Sequence, residues 1–167
     1  MDRLWSPWRY DYIKSGSSGE KREPASCVFC SLLESDGDDE SKYIVHRAAY
    51  NFIVLNLYPY ISGHTMIVPY AHLSELAAAP KETTDEMMDL TKRCQAAMRE
   101  IYRPDGFNLG MNLGRAAGAG VADHFHMHIL PRWIGDTNFM TTVGETRVHP
   151  EDLATTYSKL RHEFQGS

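Results

Sequence analysis

The chain is predicted to be an α+β domain built on an antiparallel sheet. Three observations carry this: short apolar strands separated by Pro and Gly turns, one long amphipathic helix after them, and a run of alternating histidines near the end. At 167 residues with 43% hydrophobic content, the chain suits one domain with tails and can bury a core. Its formal net charge of −5 argues against a general nucleic-acid surface, which needs clustered Lys and Arg. No apolar run is long enough to span a membrane, and the N-terminus (MDRLWSPWRY) shows no apolar signal segment, so the expectation is a cytoplasmic protein. Three cysteines, two of them as Cys27-x-x-Cys30, fit a reducing compartment and a metal pair better than a disulfide framework.

Residues 1–26 read as an N-terminal aromatic arm and linker. Trp5, Trp8, Tyr10 and Tyr12 suit an arm packed on the domain, or one reaching a partner subunit's active site, and SGSSGEKREPAS at 15–26 suits a flexible linker. In Cys27-Val28-Phe29-Cys30 two thiolates can grip one zinc ion, although a pair is half of a tetrahedral site. A thioredoxin-like redox motif is the rival and lacks its βαβ setting. Partner ligands could come from His46, His64, His72, Cys94 or the histidine run. The acidic stretch 34–41 reads as a solvated loop.

Strands are predicted from Lys42 to His46, Tyr50 to Leu57 and His64 to Val68, with Pro59 and Ser62-Gly63 making the second turn and Pro69 ending the third strand. A meander of this kind is antiparallel. Leu73 to Ala79 suggests a short helix stopped by Pro80. Thr84 would cap the main helix, whose apolar face is Met87, Leu90, Cys94, Ala97, Met98 and Ile101, and Pro104 with Asp105-Gly106 would end it. Cys94 then belongs to the core. Phe107 to Leu113 alternates, with Asn108, Gly110 and Asn112 on a small polar face suited to a ligand. The small residues of Gly114 to Gly120 let backbone N–H groups approach an anion, and Arg115 would meet a distal phosphate or simply solvent. Met140 to Val143 would add a strand. Pro150 would open a last helix with a stripe of Leu153, Tyr157, Leu160 and Phe164.

His124, His126 and His128 stand at alternate positions. On a strand all three imidazoles share one face, and Phe125, Met127 and Ile129 fill the other, with Pro131 stopping the strand. Three buried imidazoles carry six ring nitrogens to satisfy, so a metal site or a nucleophilic histidine is the expected use. Asp123 would point to the face opposite His124.

This pattern, with NFIVLN at 51–56, SGHTMIVP at 62–69, FNLGMNLG at 107–114 and PRWIGDTNF at 131–139, resembles the histidine triad (HIT) family of nucleotidyl hydrolases and transferases. The resemblance covers roughly residues 27–144, leaving 145–167 as a C-terminal helix and tail. RLWSPWR, LNLYPY and GDTNF resemble the branch containing diadenosine tetraphosphate phosphorylases of the mycobacterial type. The resemblance implies a sheet of about five antiparallel strands with the long helix across one face, and a homodimer whose sheets join. It implies a structural Cys2His2 zinc site at Cys27, Cys30, His72 and His124, and no organic cofactor. It makes His126 the nucleophile, His128 a donor to the α-phosphate and His64 a support. Asn56 would contact ribose, and Asn112, Gly118, Gly120 and Val121 would meet the phosphates. Many members carry a hydroxyl just before the triad; the matching stretch here, Gly118 to Asp123, has none and is one residue longer.

An unperturbed imidazole with a pKa near ~6.5 is largely neutral at pH 7 and can attack phosphorus directly. The implied reaction is transfer of AMP from a dinucleoside polyphosphate to His126, then to inorganic phosphate or water. Hydrolysis of adenosine phosphoramidates or other AMP conjugates is a related alternative. A non-catalytic, zinc-stabilised nucleotide-binding module and a hydrolase using all three triad histidines on a catalytic zinc are the others. Neither nucleic acid nor membrane is an expected partner.

Overall fold

The structure is a computed structural model that describes residues 27–138, 141, 143, 144 and 151–166. The aromatic arm, Pro150, and Met140 and Thr142 of the strand expected at 140–143 lie outside the described residues. Five strands form one antiparallel sheet in the order β1-β2-β3-β5-β4. They are β1 (Ile44–Arg47), β2 (Asn51–Leu55), β3 (Thr65–Pro69), β4 (Gly106–Gly110) and β5 (Met127–Arg132). Among the described residues the helices are α1 (Val28–Glu34), α2 (Lys81–Tyr102) and α3 (Leu153–Gln165). No described helix is long and apolar enough to cross a membrane.

Strand alternation divides the core in two. Ile53 and Leu55 of β2, Ile67 of β3, and Phe125 and Ile129 face α2 and α3, where Met87, Leu90, Cys94, Met98, Tyr157, Leu160 and Phe164 meet them. Phe52 and Val54 of β2, Met66 and Val68 of β3, and Ile44 face the other way and are covered by Phe29 of α1. Both faces of β2 and β3 are therefore buried along their whole length. The histidines lie on the α1 face.

Several boundaries differ from the sequence expectation, each for a local reason. α2 begins at Lys81 with Pro80 as its N-cap, so Thr84 lies inside the helix and its hydroxyl donates back to the Lys81 carbonyl. The helix ends where Arg103 turns left-handed (φ 46°), because Pro104 excludes the right-handed helical region for the residue before it. Leu73–Ala79 gives only a single 3-10 turn at Leu76–Ala78. β5 runs through Pro131. β3 pairs only with Met127–Ile129, so beyond Ile129 that edge needs no ladder donor, while Pro131 stays opposite Phe107 of β4. α2 is tied to the β1–β2 turn by the Glu86 carboxylate, which accepts from the Ala49 and Tyr50 N–H groups and Asn51 Nδ2 at 2.8–2.9 Å. α3 is capped by Asp152, whose carboxylate accepts from the Thr155 N–H at 2.7 Å.

Candidate active site and metal cluster

The triad is half strand and half approach to it. β5 begins at Met127, so only His128 sits in the ladder; His124 and His126 lie in the extended segment leading in. The alternation still holds, since Phe125 and Ile129 join the helix-side core while the histidines face α1. Sheet register then delivers a fourth histidine. His128 is opposite Met66, and His64 stands two residues before Met66 on the same face, diagonal to His128. Their facing nitrogens, His64 Nε2 and His128 Nδ1, are 2.9 Å apart.

The partners of these rings determine which nitrogen of each carries the proton. The Tyr58 N–H donates to Asn56 Oδ1 (2.9 Å), which turns the Asn56 NH2 toward His64 Nδ1 (3.3 Å). The Tyr60 N–H donates to the same nitrogen at 3.1 Å. His64 Nδ1 is thus an acceptor. Burial first, then the neighbouring His128, holds its pKa down at about 3, so the ring is neutral and its proton is on Nε2. That proton is donated to His128 Nδ1. Burial, then His126, brings His128 down to about 4, so His128 too is neutral and carries its hydrogen on Nε2.

His126 is set the opposite way. Its Nδ1 lies 3.0 Å from the His124 carbonyl, which can only accept, so Nδ1 is protonated. Burial lowers its pKa and keeps the ring neutral, leaving Nε2 with a lone pair. The His126 and His128 rings meet edge to face with centroids 4.7 Å apart. The site therefore pairs one nitrogen able to attack with one N–H able to donate.

The first histidine serves a separate cluster. His124 Nε2 donates to the Pro69 carbonyl at 2.9 Å, which turns the Nδ1 lone pair toward the thiols. His124 Nδ1 is 3.3 Å from Cys27 Sγ and 3.8 Å from Cys30 Sγ, and His72 Nδ1 is 3.4 Å from Cys30 Sγ. The four ligand atoms all lie within 4.8 Å of one another. A tetrahedral ion with bonds of about 2.3 Å to sulfur and about 2.0 Å to nitrogen has S···N edges of about 3.5 Å, so the cluster fits a metal. Cys27 caps α1 and Cys30 lies in its first turn, which brings both thiols to one end of the helix. Of the other candidate ligands, Cys94 is fully buried in the helix-side core, and His46 contacts Arg93 and Phe164. Among the described residues this is the one grouping suited to a metal, and His126 and His128 are outside it.

The glycine loop is closed by its own hydrogen bonds. Gly118 is left-handed (φ 86°), closing a 3-10 turn at Arg115–Ala117, and its N–H donates to the Arg115 carbonyl at 3.0 Å. The Ala119 N–H donates to Gly114. These two amides are used inside the loop rather than presented to an anion. Asn112 follows β4 and is half-buried, Gly120 is exposed, and Val121 packs against the α1-side core. Asn56 is engaged with His64 through its amide, a role that the sequence pattern did not suggest. Nor did it suggest Tyr60, whose ring lies over His64 at 4.7 Å, or Phe29, whose ring edge meets His126 at 5.0 Å. The only signal for Phe29 was its place between the two cysteines.

The chain matches the HIT domain family over residues 38–133 and belongs to that family. It is 38% identical over 169 residues to a Mycobacterium tuberculosis (strain ATCC 25618 / H37Rv) protein named AP-4-A phosphorylase, an alignment covering 98% of this chain and 85% of that one. A Zn-bound histidine triad family protein from Mycobacterium smegmatis has the same fold, with a TM-score of 0.68 and 29% identity over 86% of this chain and 96% of that one. A hypothetical histidine triad nucleotide-binding protein from Sulfolobus tokodaii strain7 matches with a TM-score of 0.66 and 28% identity over 84% and 93% of the two chains.

Proposed function

We propose that this chain is a nucleotidyl transferase of dinucleoside polyphosphates that acts on diadenosine tetraphosphate through a covalent His126–AMP intermediate. The observation that carries the reading is the opposed protonation of the two neighbouring rings, Nε2 bare on His126 and Nε2–H on His128. In the first step His126 Nε2 attacks the α-phosphorus in line. A P–N bond forms, the bond to the bridging oxygen breaks, and ATP leaves. His128 Nε2–H donates to a non-bridging α-oxygen, where charge gathers in the transition state. In the second step an oxygen of inorganic phosphate attacks the same phosphorus, the P–N bond breaks, and ADP departs with His126 restored. The relative named AP-4-A phosphorylase supports phosphate over water as acceptor.

Cys27, Cys30, His72 and His124 would hold zinc, as the Zn-bound relative supports. Bound there, the metal would supply structure rather than Lewis-acid chemistry, because all four protein positions are filled by side chains. The reduced thiols suit a cytoplasmic protein. A homodimer would join through β4, which among the described residues has β5 as its one strand partner and leaves Leu109 exposed.

Incubation with diadenosine tetraphosphate, with and without inorganic phosphate, tests the reaction. ADP plus ATP formed only with phosphate is the expected result. AMP plus ATP in both tubes would replace phosphorolysis by hydrolysis on the same histidine. No turnover in either tube would overturn the substrate assignment.

A further inference from the structure

We infer that Phe29 is a positioning residue that, together with the His124 carbonyl, couples the thiol–imidazole cluster to the orientation of His126. The inference rests on the reading of His126 as nucleophile. Two contacts hold the His126 ring beside the cluster. One is the hydrogen bond from Nδ1 to the His124 carbonyl at 3.0 Å. The other is the Phe29 ring, 5.0 Å from His126 at 60°. One holder is the backbone of a cluster residue, and the other lies beside the cluster. His124 is fixed by its ring, which faces Cys27 and Cys30 on one side and the Pro69 carbonyl on the other. Phe29 lies between the two cysteines in sequence and meets the His124 ring as well, at 5.4 Å and 77°.

The physical consequence follows from what α1 is. Seven residues make about two turns, too short to hold a position by helix stability alone. Leu32 and Leu33 pack its far end on the sheet, the cysteines stand at its start, and Phe29 is its one deeply buried side chain, with 5% of its surface exposed. With the cluster closed, the Phe29 ring is a fixed wall and the His124 carbonyl a fixed acceptor, so His126 has one rotamer and one tautomer. With the cluster open, both can shift, and a ring free to turn presents Nδ1 as readily as Nε2. A metal at this cluster would then set the rate of the chemical step without touching substrate.

The test uses the full chain labelled with 15N-histidine and loaded with zinc. Long-range 1H–15N correlation reads the protonation of each His126 nitrogen, and kcat and KM are measured with diadenosine tetraphosphate. The wild type should show one His126 ring with Nδ1 protonated and Nε2 bare. In zinc-loaded Phe29→Ala those signals should move toward averaged values. Its kcat should fall about tenfold to a hundredfold with KM within about twofold, the scale of a misplaced reacting group. Phe29→Leu, which keeps most of the volume, should recover most of both. Chelation of zinc from the wild type should produce the same averaging while far-UV circular dichroism is retained. If Phe29→Ala does not fold, Phe29→Leu and the chelated wild type carry the decision. An unchanged His126 spectrum with unchanged kcat would overturn the proposal, and so would a raised KM at full kcat, which would mean that Phe29 touches substrate. If the wild type fails to turn the nucleotide over, the substrate reading falls, and the imidazole spectra still decide the positioning role.

Discussion

Replacing His64 by Leu removes the hub of the site's hydrogen bonding while keeping an apolar side chain of similar volume. His64 is 1% exposed, and three partners converge on it. The Tyr60 N–H and the Asn56 NH2 donate to Nδ1, and Nε2–H donates to His128. In His64→Leu the two donors lose their acceptor, at about 1–3 kcal/mol each where water cannot replace it. Asn56 is half-buried and Tyr60 is exposed, so water can replace part of the loss, and burial of the new Leu returns more of it; the expected net destabilisation is about 2–4 kcal/mol. The catalytic cost has a different origin. His128 loses the N–H that fixed its Nδ1 as acceptor, and the bond that oriented it is worth about 0.5–1.5 kcal/mol, or about two- to thirteenfold in rate. If Nε2–H acts as a general donor in the transition state, the ceiling is about 10²–10⁴-fold. The expected fall in kcat is therefore about tenfold to a hundredfold, smaller than that of His126→Ala. Urea melts and steady-state kinetics on the same preparations measure both quantities. Wild-type stability together with wild-type kcat would refute the hydrogen-bond order deduced for the site.

Three further predictions follow from neighbouring features. His64 and His128 have folded pKa values of about 3 and about 4 against an ordinary 6.5, so below pH 6.5 the unfolded chain takes up protons that the folded chain refuses. Their contribution to stability is complete above about 6.5 and is lost progressively as pH falls through about 4 for His128 and toward about 3 for His64; urea midpoints at pH 7.5, 6 and 5 should fall in that order, with a shallower decline in His64→Leu. Gly63 has φ +81°, and a Cβ there would lie 3.1 Å from Pro131 Cγ and 3.2 Å from Tyr102 Cε2, so Gly63→Ala should cost about 1–3 kcal/mol and disturb His64 next to it, read as a lower melting temperature and a lower kcat. Glu86→Ala should lower stability by about 2 kcal/mol with kcat unchanged, because the carboxylate that gathers three N–H groups lies at the β1–β2 turn, away from the histidines; a chemical-denaturation curve beside a kcat measurement checks both parts.

Much of the architecture is legible in the chain because it follows from periodicity. The apolar spacing of Met87, Leu90, Cys94, Ala97 and Met98 marks the buried side of α2, and all five are buried. The alternation through Phe125 and Ile129 marks the helix-side core even though β5 begins only at Met127. The spacing of Cys27 and Cys30 marks a metal pair, and the resemblance supplies His72 and His124, which the fold brings to the thiols. What is not legible depends on register and on backbone carbonyls. Nothing in the residue types shows that the Pro69 and His124 carbonyls choose the protonated nitrogen of two imidazoles, or that the β3–β5 register sets His64 diagonal to His128. Pro131 reads as a stop because its missing N–H matters only where a neighbouring strand needs it, and β3 has already parted from β5 there. The glycines of the 114–120 loop show that the backbone can turn, but not that the Gly118 N–H turns inward to Arg115.

The central claim is that His126 carries the nucleotide. The most direct measurement is a rapid quench of the zinc-loaded protein with diadenosine tetraphosphate labelled in its α-phosphate, without inorganic phosphate, followed by peptide mapping under conditions that keep P–N bonds intact. The account predicts label on the peptide holding His126, up to one equivalent per chain, chased into ADP by added phosphate and missing from His126→Ala. Turnover with no labelled peptide at any quench time, or label persisting in His126→Ala, would contradict it.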